Sequence, residues 1–396
     1  MRRSAALPVV LACATVAAGG CRRETRVAAA APGSDAAKAV VDAAIARPAT
    51  APPPRRFKRI DVHTHIGPDG IARAVRLMNE WGIDGVVNLS GMYPGPPRGM
   101  LETQLGAANS MTGGGRVVVF MTPNFKLVRM GKGYGEAMAD QLAEGQRLGA
   151  RGLKITKGLG LGIPGPDGKK LLAIDDPGLN PLWERAGALG MPVAIHIGDP
   201  KAFWKPVSPE NERWDELRVH PEWSFHGPGI PSWQELYDAF ERLVARHKKT
   251  TFIGVHFGND PEDPDNVARM LDKHPNFFID TAARVPEIGR HPQEKMRRFY
   301  AKYQDRVLFG TDTGIGPDDA DMMYGSNGAD VPTRADEVRF FTSTWRYFET
   351  PDKQFESPTP IQGRWKIDGV GLSDAILRKI YFENAARILR WRPPGT

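Results

Sequence analysis

From Phe57 onward the chain alternates between short apolar, β-branched runs and longer stretches in which apolar residues recur every three or four positions. Eight runs have strand character: 58–65, 85–89, 116–122, 152–156, 192–196, 251–256, 276–280 and 306–311. Between them, segments such as 71–81, 134–148, 181–189, 233–247, 265–274 and 292–303 carry the amphipathic period of a crossover helix. Near-continuous apolar strands joined by helices predict a parallel sheet covered on its outer face. Eight of them predict α/β architecture of the (β/α)8 barrel type, which needs roughly 250 residues plus insertions. A doubly wound open sheet alternates in the same way. No glycine-rich nucleotide-binding turn follows the first run, however, and the placement of polar residues decides for the barrel.

Two segments break the rhythm, 200–231 after the fifth run and 314–339 after the eighth. Both follow strand C-terminal ends, the face on which barrel enzymes assemble their sites, so both are expected to cover a pocket. In the first, Trp204, Trp214, Trp223, Phe225 and His226 could wall an apolar cavity or simply pack the loop down.

The N-terminal region follows another logic. Arg2 and Arg3 precede an apolar stretch, 7–18, too short to span a bilayer, and Ala18-Gly19-Gly20-Cys21 resembles a lipoprotein cleavage box except at Ala18, where leucine is usual. Residues 1–21 are therefore expected to be an export signal with Cys21 as the lipidated position. Residues 22–56, rich in Ala and Pro, are expected to be a disordered linker, and 57–396 the barrel domain. The expected location is the cell envelope or periplasm, with membrane contact only through the lipid anchor. Whether barrels pair as a homodimer is open.

Among 396 residues, 53 basic and 46 acidic side chains give a net charge of +7, with no dense basic run interleaved with aromatics. Nucleic acid is not an expected partner. Both cysteines, Cys13 and Cys21, precede the barrel, so any metal there must take nitrogen and oxygen ligands.

The chemistry gathers at strand ends. His63 and His65 lie two apart on the first run and point the same way, with Asp61 beneath them. The fifth run ends on His196, the sixth on His256, and the eighth is followed by Asp312. Barrel closure would bring these ends together. His63, His65, His196 and Asp312 would then offer three neutral nitrogens and a carboxylate, a set suited to Zn²⁺ with one position left for water. Asp61 is expected to support the set from below rather than to join it. Lys154 ends the fourth run and Arg284 lies just past the seventh. Each could contact a substrate anion; alternatively Lys154 forms a buried ion pair, and Arg284 pairs with Asp280 or with an acid in a loop.

The segments 60–66, 152–155, 192–198, 255–258, 308–312 and 381–389 together resemble the amidohydrolase-related family over residues 57–390. That branch of the amidohydrolase superfamily also contains metal-dependent decarboxylases similar to aminocarboxymuconate semialdehyde decarboxylase. The resemblance implies one divalent ion, Zn²⁺ or Mn²⁺, on His63, His65, His196 and Asp312, with Asp312 and His256 as catalytic residues. His256 is expected to donate to a developing oxyanion and Asp312 to shuttle a proton. The expected activity is hydrolysis of a small carboxylic derivative such as an amide, ester or lactone. Two alternatives stand beside it: non-oxidative decarboxylation or hydration of an aromatic or unsaturated acid, and a surface-tethered binding lipoprotein without catalysis.

Overall fold

The computed structural model describes residues 56–95, 100–112 and 115–391. The expected signal segment with Cys21, and the linker as far as residue 55, lie outside the described residues. Strands β1 (Ile60–Ile66), β2 (Gly85–Asn88), β3 (Val117–Met121), β4 (Gly152–Ile155), β5 (Val193–Ile195), β6 (Phe252–Gly254), β7 (Phe277–Asp280) and β8 (Val307–Leu308) pair in sequence order, each parallel to the next. A further strand, β9 (Thr313–Ile315), runs parallel to β1, and β10 (Met323–Tyr324) lies antiparallel on β9.

β8 and β9 are two halves of one eighth strand, the first hydrogen-bonded to β7 and the second to β1. Between them the Val62 amide donates to the Phe309 carbonyl at 2.9 Å and the Asp312 amide to the His63 carbonyl at 2.8 Å. The ring closes, as the polar residues at the strand ends led one to expect. The eighth strand is not the single run 306–311, because Asp312 has φ 63° and turns the chain between the halves. Residues 314 and 315, expected in the second insertion, therefore belong to the barrel.

Among the described residues, eight helices of ten residues or more alternate with the strands: α1 (Ile71–Trp81), α2 (Met100–Thr112), α3 (Tyr134–Leu148), α4 (Asn180–Leu189), α5 (Trp233–Arg246), α6 (Pro264–Lys273), α7 (Gln293–Tyr303) and α8 (Arg334–Glu349). α5 and α8 start at capping boxes, Ser232 with Glu235 and Thr333 with Asp336. The second cap moves the end of the second insertion back from 339 to 333.

Alternate residues on the strands serve two cores. On β5, Ala194 joins Ile60, Val87, Phe120, Ile253 and Leu308 inside the barrel, while Val193 and Ile195 face the helices beside Trp183 and Phe240. The inner cluster continues downward into Ala385 and Leu389 of the C-terminal helical segment, which closes the bottom of the ring. The top is left for polar residues. Among the described residues no helix is long and apolar enough to cross a membrane.

Candidate metal centre

His63 and His65 project from β1 toward the top of the ring, the first wholly buried and the second about one-third exposed. The other site residues sit where strands have just stopped. β5 ends at Ile195 and β6 at Gly254, so His196 is a loop residue and His256 lies in the short helical turn Val255–Gly258, rather than both being the strand termini expected from 192–196 and 251–256. His256 has φ 55° and Phe257 φ 58°, a left-handed turn that side chains rarely adopt. Asp312 and Ala283 share that conformation, at φ 63° and 54°. Strain of about 1–3 kcal/mol per residue, held by the surrounding packing, thus concentrates around one point.

That point is a cluster of lone pairs. His63 Nε2 lies 3.4 Å and His65 Nε2 3.5 Å from Asp312 Oδ1. One ligand atom from each of His63, His256 and Asp312 falls within 4.8 Å of the others. The His63 and His256 rings are 4.9 Å apart between centroids, and those of His196 and His256 4.4 Å. All five positions singled out in the sequence meet here.

Neighbouring acceptors orient the rings. His256 Nδ1 is 2.9 Å from the Ala282 carbonyl, which can only accept, so Nδ1 carries the proton and Nε2 keeps its lone pair. This reverses the expected role of His256: in this tautomer it accepts a hydrogen bond at Nε2 and does not donate one. His63 Nδ1 lies 2.9 Å from Asp280 Oδ2, which frees Nε2 toward Asp312. His65 Nδ1 meets the Ser90 hydroxyl at 2.9 Å. Burial pushes all four imidazoles toward the neutral form: His65 down to about 3, His196 to about 4, and His63 and His256 well below their usual value.

The acids complete the frame. Asp61 accepts from the His63 amide at 3.1 Å, the Thr311 amide at 3.0 Å and the Thr311 hydroxyl at 2.6 Å. It ties β1 to the break in the eighth strand and so fixes the approach of Asp312; burial raises its carboxyl to about 7. Asp280, at the end of β7, accepts from the His256 amide at 2.8 Å and the Ala282 amide at 3.1 Å while it holds His63. Sequence reasoning saw Asp280 only as a partner for Arg284. The signal was available, since Phe277-Phe278-Ile279-Asp280 is another apolar run closing on a titratable side chain. Asp199 was missed altogether: it touches His196 at 3.5 Å and forms an ion pair with Lys157.

Lys154 is buried on β4 with Nζ 3.4 Å from His63 Nε2, and burial lowers its affinity for the proton. Arg284, also buried, places Nη2 3.9 Å from Asp199 and donates to the Ala283 carbonyl at 3.0 Å, so its acid partner is in a loop. In the first insertion Trp204 packs on Phe225 at 4.6 Å and donates to the Pro231 carbonyl, and His226 bonds the Trp204 carbonyl. Trp214 opens the helical turn Trp214–Leu217, and Trp223 stacks on His220. Trp223 and Phe225 stand 6.0 and 5.5 Å from the Lys157 ammonium, and the Trp204 ring closes on the backbone of Gly198, two residues past His196.

The residues present fit a divalent cation. Neutral imidazoles with free lone pairs surround a carboxylate, Asp312, whose charged form burial disfavours (raised to about 6), and a cation between them would relieve that penalty. A nitrogen and oxygen set suits zinc or manganese.

Known proteins give the family. The amidohydrolase family profile matches residues 60–391. Comparison with curated proteins finds no match. Among solved structures, 2,6-dihydroxybenzoate decarboxylase from Rhizobium is 16% identical over 84% of this chain and 99% of its own, with TM-score 0.49. Dihydroxybenzoic acid decarboxylase from Polaromonas sp. JS666, with bound manganese, is 16% identical over 84% and 97%, also at 0.49. An amidohydrolase from Burkholderia multivorans is 12% identical over 84% and 99%, at 0.45. Likeness this distant carries no argument about the reaction. The profile, spanning every strand of the barrel and the C-terminal segment beneath it, is enough to state that this chain belongs to the amidohydrolase family.

Proposed function

We propose that the protein is a metal-dependent hydrolase of a small amide, ester or lactone, with one divalent ion, zinc in the first instance, held by His63, His65, His196 and Asp312. The observation that carries the reading is the convergence of neutral, pre-oriented imidazoles on the buried Asp312 carboxylate at the open end of the ring. Such an ion supplies Lewis acidity, which acidifies a water and polarises a carbonyl. Asp312 takes the proton from the attacking water and returns it to the leaving group. His256, with its lone pair on Nε2, accepts a hydrogen bond from that water and aims it. Lys154 donates from its buried ammonium to the carbonyl oxygen as negative charge develops there.

Hydrolysis is preferred to decarboxylation because the Arg284 guanidinium already faces Asp199 and a backbone carbonyl. A guanidinium so engaged is a poor clamp for the carboxylate of a free-acid substrate, which leaves the Lys154 ammonium as the cation at the centre, where the hydrolase reading uses it on a carbonyl oxygen. The test is a screen of zinc-loaded protein against lactones, amides, esters and aromatic acids, with carbon dioxide release followed in parallel. Turnover of at least one hydrolysable class without carbon dioxide is expected. Carbon dioxide evolution with no hydrolysis of any class would overturn the reading.

A further inference from the structure

His196 is oriented differently from the other rings. His63 and His256 turn Nδ1 toward their supporting acceptors and Nε2 toward the centre. His196 instead turns Nε2 outward, 3.2 Å from the Gly198 carbonyl and 3.5 Å from Asp199 Oδ1. A carbonyl oxygen cannot donate, so the proton sits on Nε2 and the lone pair on Nδ1.

We infer that Asp199 is a positioning residue for the metal centre: with the Gly198 carbonyl it fixes His196 in the Nε2–H tautomer, leaving Nδ1 as the ligand atom. The inference rests on the metal-centre reading above. Asp199 is suited to the task by its own surroundings. It follows His196 by three residues, so the turn that ends β5 delivers ring and carboxylate together. Its Oδ2 takes an ion pair from Lys157, and Arg284 stands 3.9 Å from Oδ1. Lys157 thus holds the carboxylate by its other oxygen and leaves Oδ1 facing the imidazole N–H. The Lys157 ammonium lies in turn over the Trp223 and Phe225 rings, so the first insertion contacts the cation that holds the acid. The centre then has two supporting carboxylates from different strand ends. Asp280 works from β7 on the Nδ1 side of His63, and Asp199 from the β5 loop on the Nε2 side of His196. Supporting acids of this kind typically change metal affinity by about 10- to 100-fold.

The experiment uses the full-length, metal-free protein labelled with ¹⁵N-histidine, with His196 assigned by comparison with His196→Gln, and zinc affinity measured by competition with a chelating dye. The expected results are an Nε2–H signature for wild-type His196 and zinc binding about tenfold or more weaker in Asp199→Ala, with Asp199→Asn between the two. A wild-type His196 protonated on Nδ1 would overturn the proposal. So would an Asp199→Ala protein that binds zinc within about twofold of wild type. Should Asp199→Ala not fold, Asp199→Asn takes its place, and zinc binding by that variant within about twofold of wild type would likewise overturn the proposal. No readout here depends on turnover, so failure of the hydrolase assignment would leave the Asp199 result standing and be recognised separately.

Discussion

Asp312 combines three roles that rarely coincide: a left-handed backbone, a buried carboxylate, and contact with both β1 histidines. Asn is the replacement that respects the first two, since it has nearly the same shape and tolerates φ above zero better than most residues. Asp312→Asn should therefore keep the fold, by circular dichroism, and lower kcat by roughly 10²–10⁴, because an amide cannot carry the proton. Near-wild-type turnover would remove Asp312 from the proton path. At this scale the sequence was most informative where an apolar run closes on a titratable residue, and it placed His63, His65, His196, His256 and Asp312 in one site. What it could not convey was ring orientation. The tautomer of His256 depends on the Ala282 carbonyl and that of His196 on the Gly198 carbonyl, and backbone oxygens leave no mark on the pattern of side chains.

Among the elements, the insertions are the least legible part of the chain, and a buried ion cluster shows why. Arg213, in the first insertion, is 0% exposed and lies between Glu216, at 3.1 Å, and Glu287, from the segment after β7. Glu216 also takes the Ser326 hydroxyl from the second insertion, and exposed pairs Arg290–Glu212 and Arg364–Asp215 reinforce the join. The two covers over the site are thus fastened to each other and to the barrel by charges that appear in sequence as ordinary loop polarity. Removing the shared cation strands two buried carboxylates. Arg213→Met is expected to cost about 3–5 kcal/mol in denaturant unfolding, more than an exposed pair such as Arg364–Asp215 would cost, at about 0–1 kcal/mol. Equal losses for Arg213→Met and Arg364→Met would show that the cluster is not the fastening. The same difficulty hid the eighth strand. A periodicity of two cannot show that Asp312 turns left-handed between β8 and β9, so a continuous strand was expected where two halves close the ring.

Over the whole molecule, stability and chemistry are placed at opposite ends of the barrel. The alternation of runs and helices was enough to predict eight parallel strands, because burial on both faces leaves such a sheet few other solutions, and the polar residues at the strand ends decided for closure over an open sheet. The C-terminal segment beneath was visible only through its family resemblance, yet it completes the inner core: Leu389 is 4% exposed and Ala385 fully buried against Ile60, Val87 and Leu308. Leu389→Ala should therefore cost about 2–5 kcal/mol by leaving a cavity at the bottom of the ring. The proposed metal ion would bind at the top. At about 100 times its dissociation constant it should add roughly 2.7 kcal/mol by mass action on the folded state. If the two ends are energetically independent, zinc will raise the melting temperature of Leu389→Ala as much as that of wild type, and a chelator will remove the gain from both. In Asp312→Asn the gain should shrink, since a charged ligand has been replaced by a neutral one. A zinc increment absent from wild type would argue against a metal centre at His63, His65, His196 and Asp312. An increment lost in Leu389→Ala would mean that packing at the bottom of the barrel holds the site at its top.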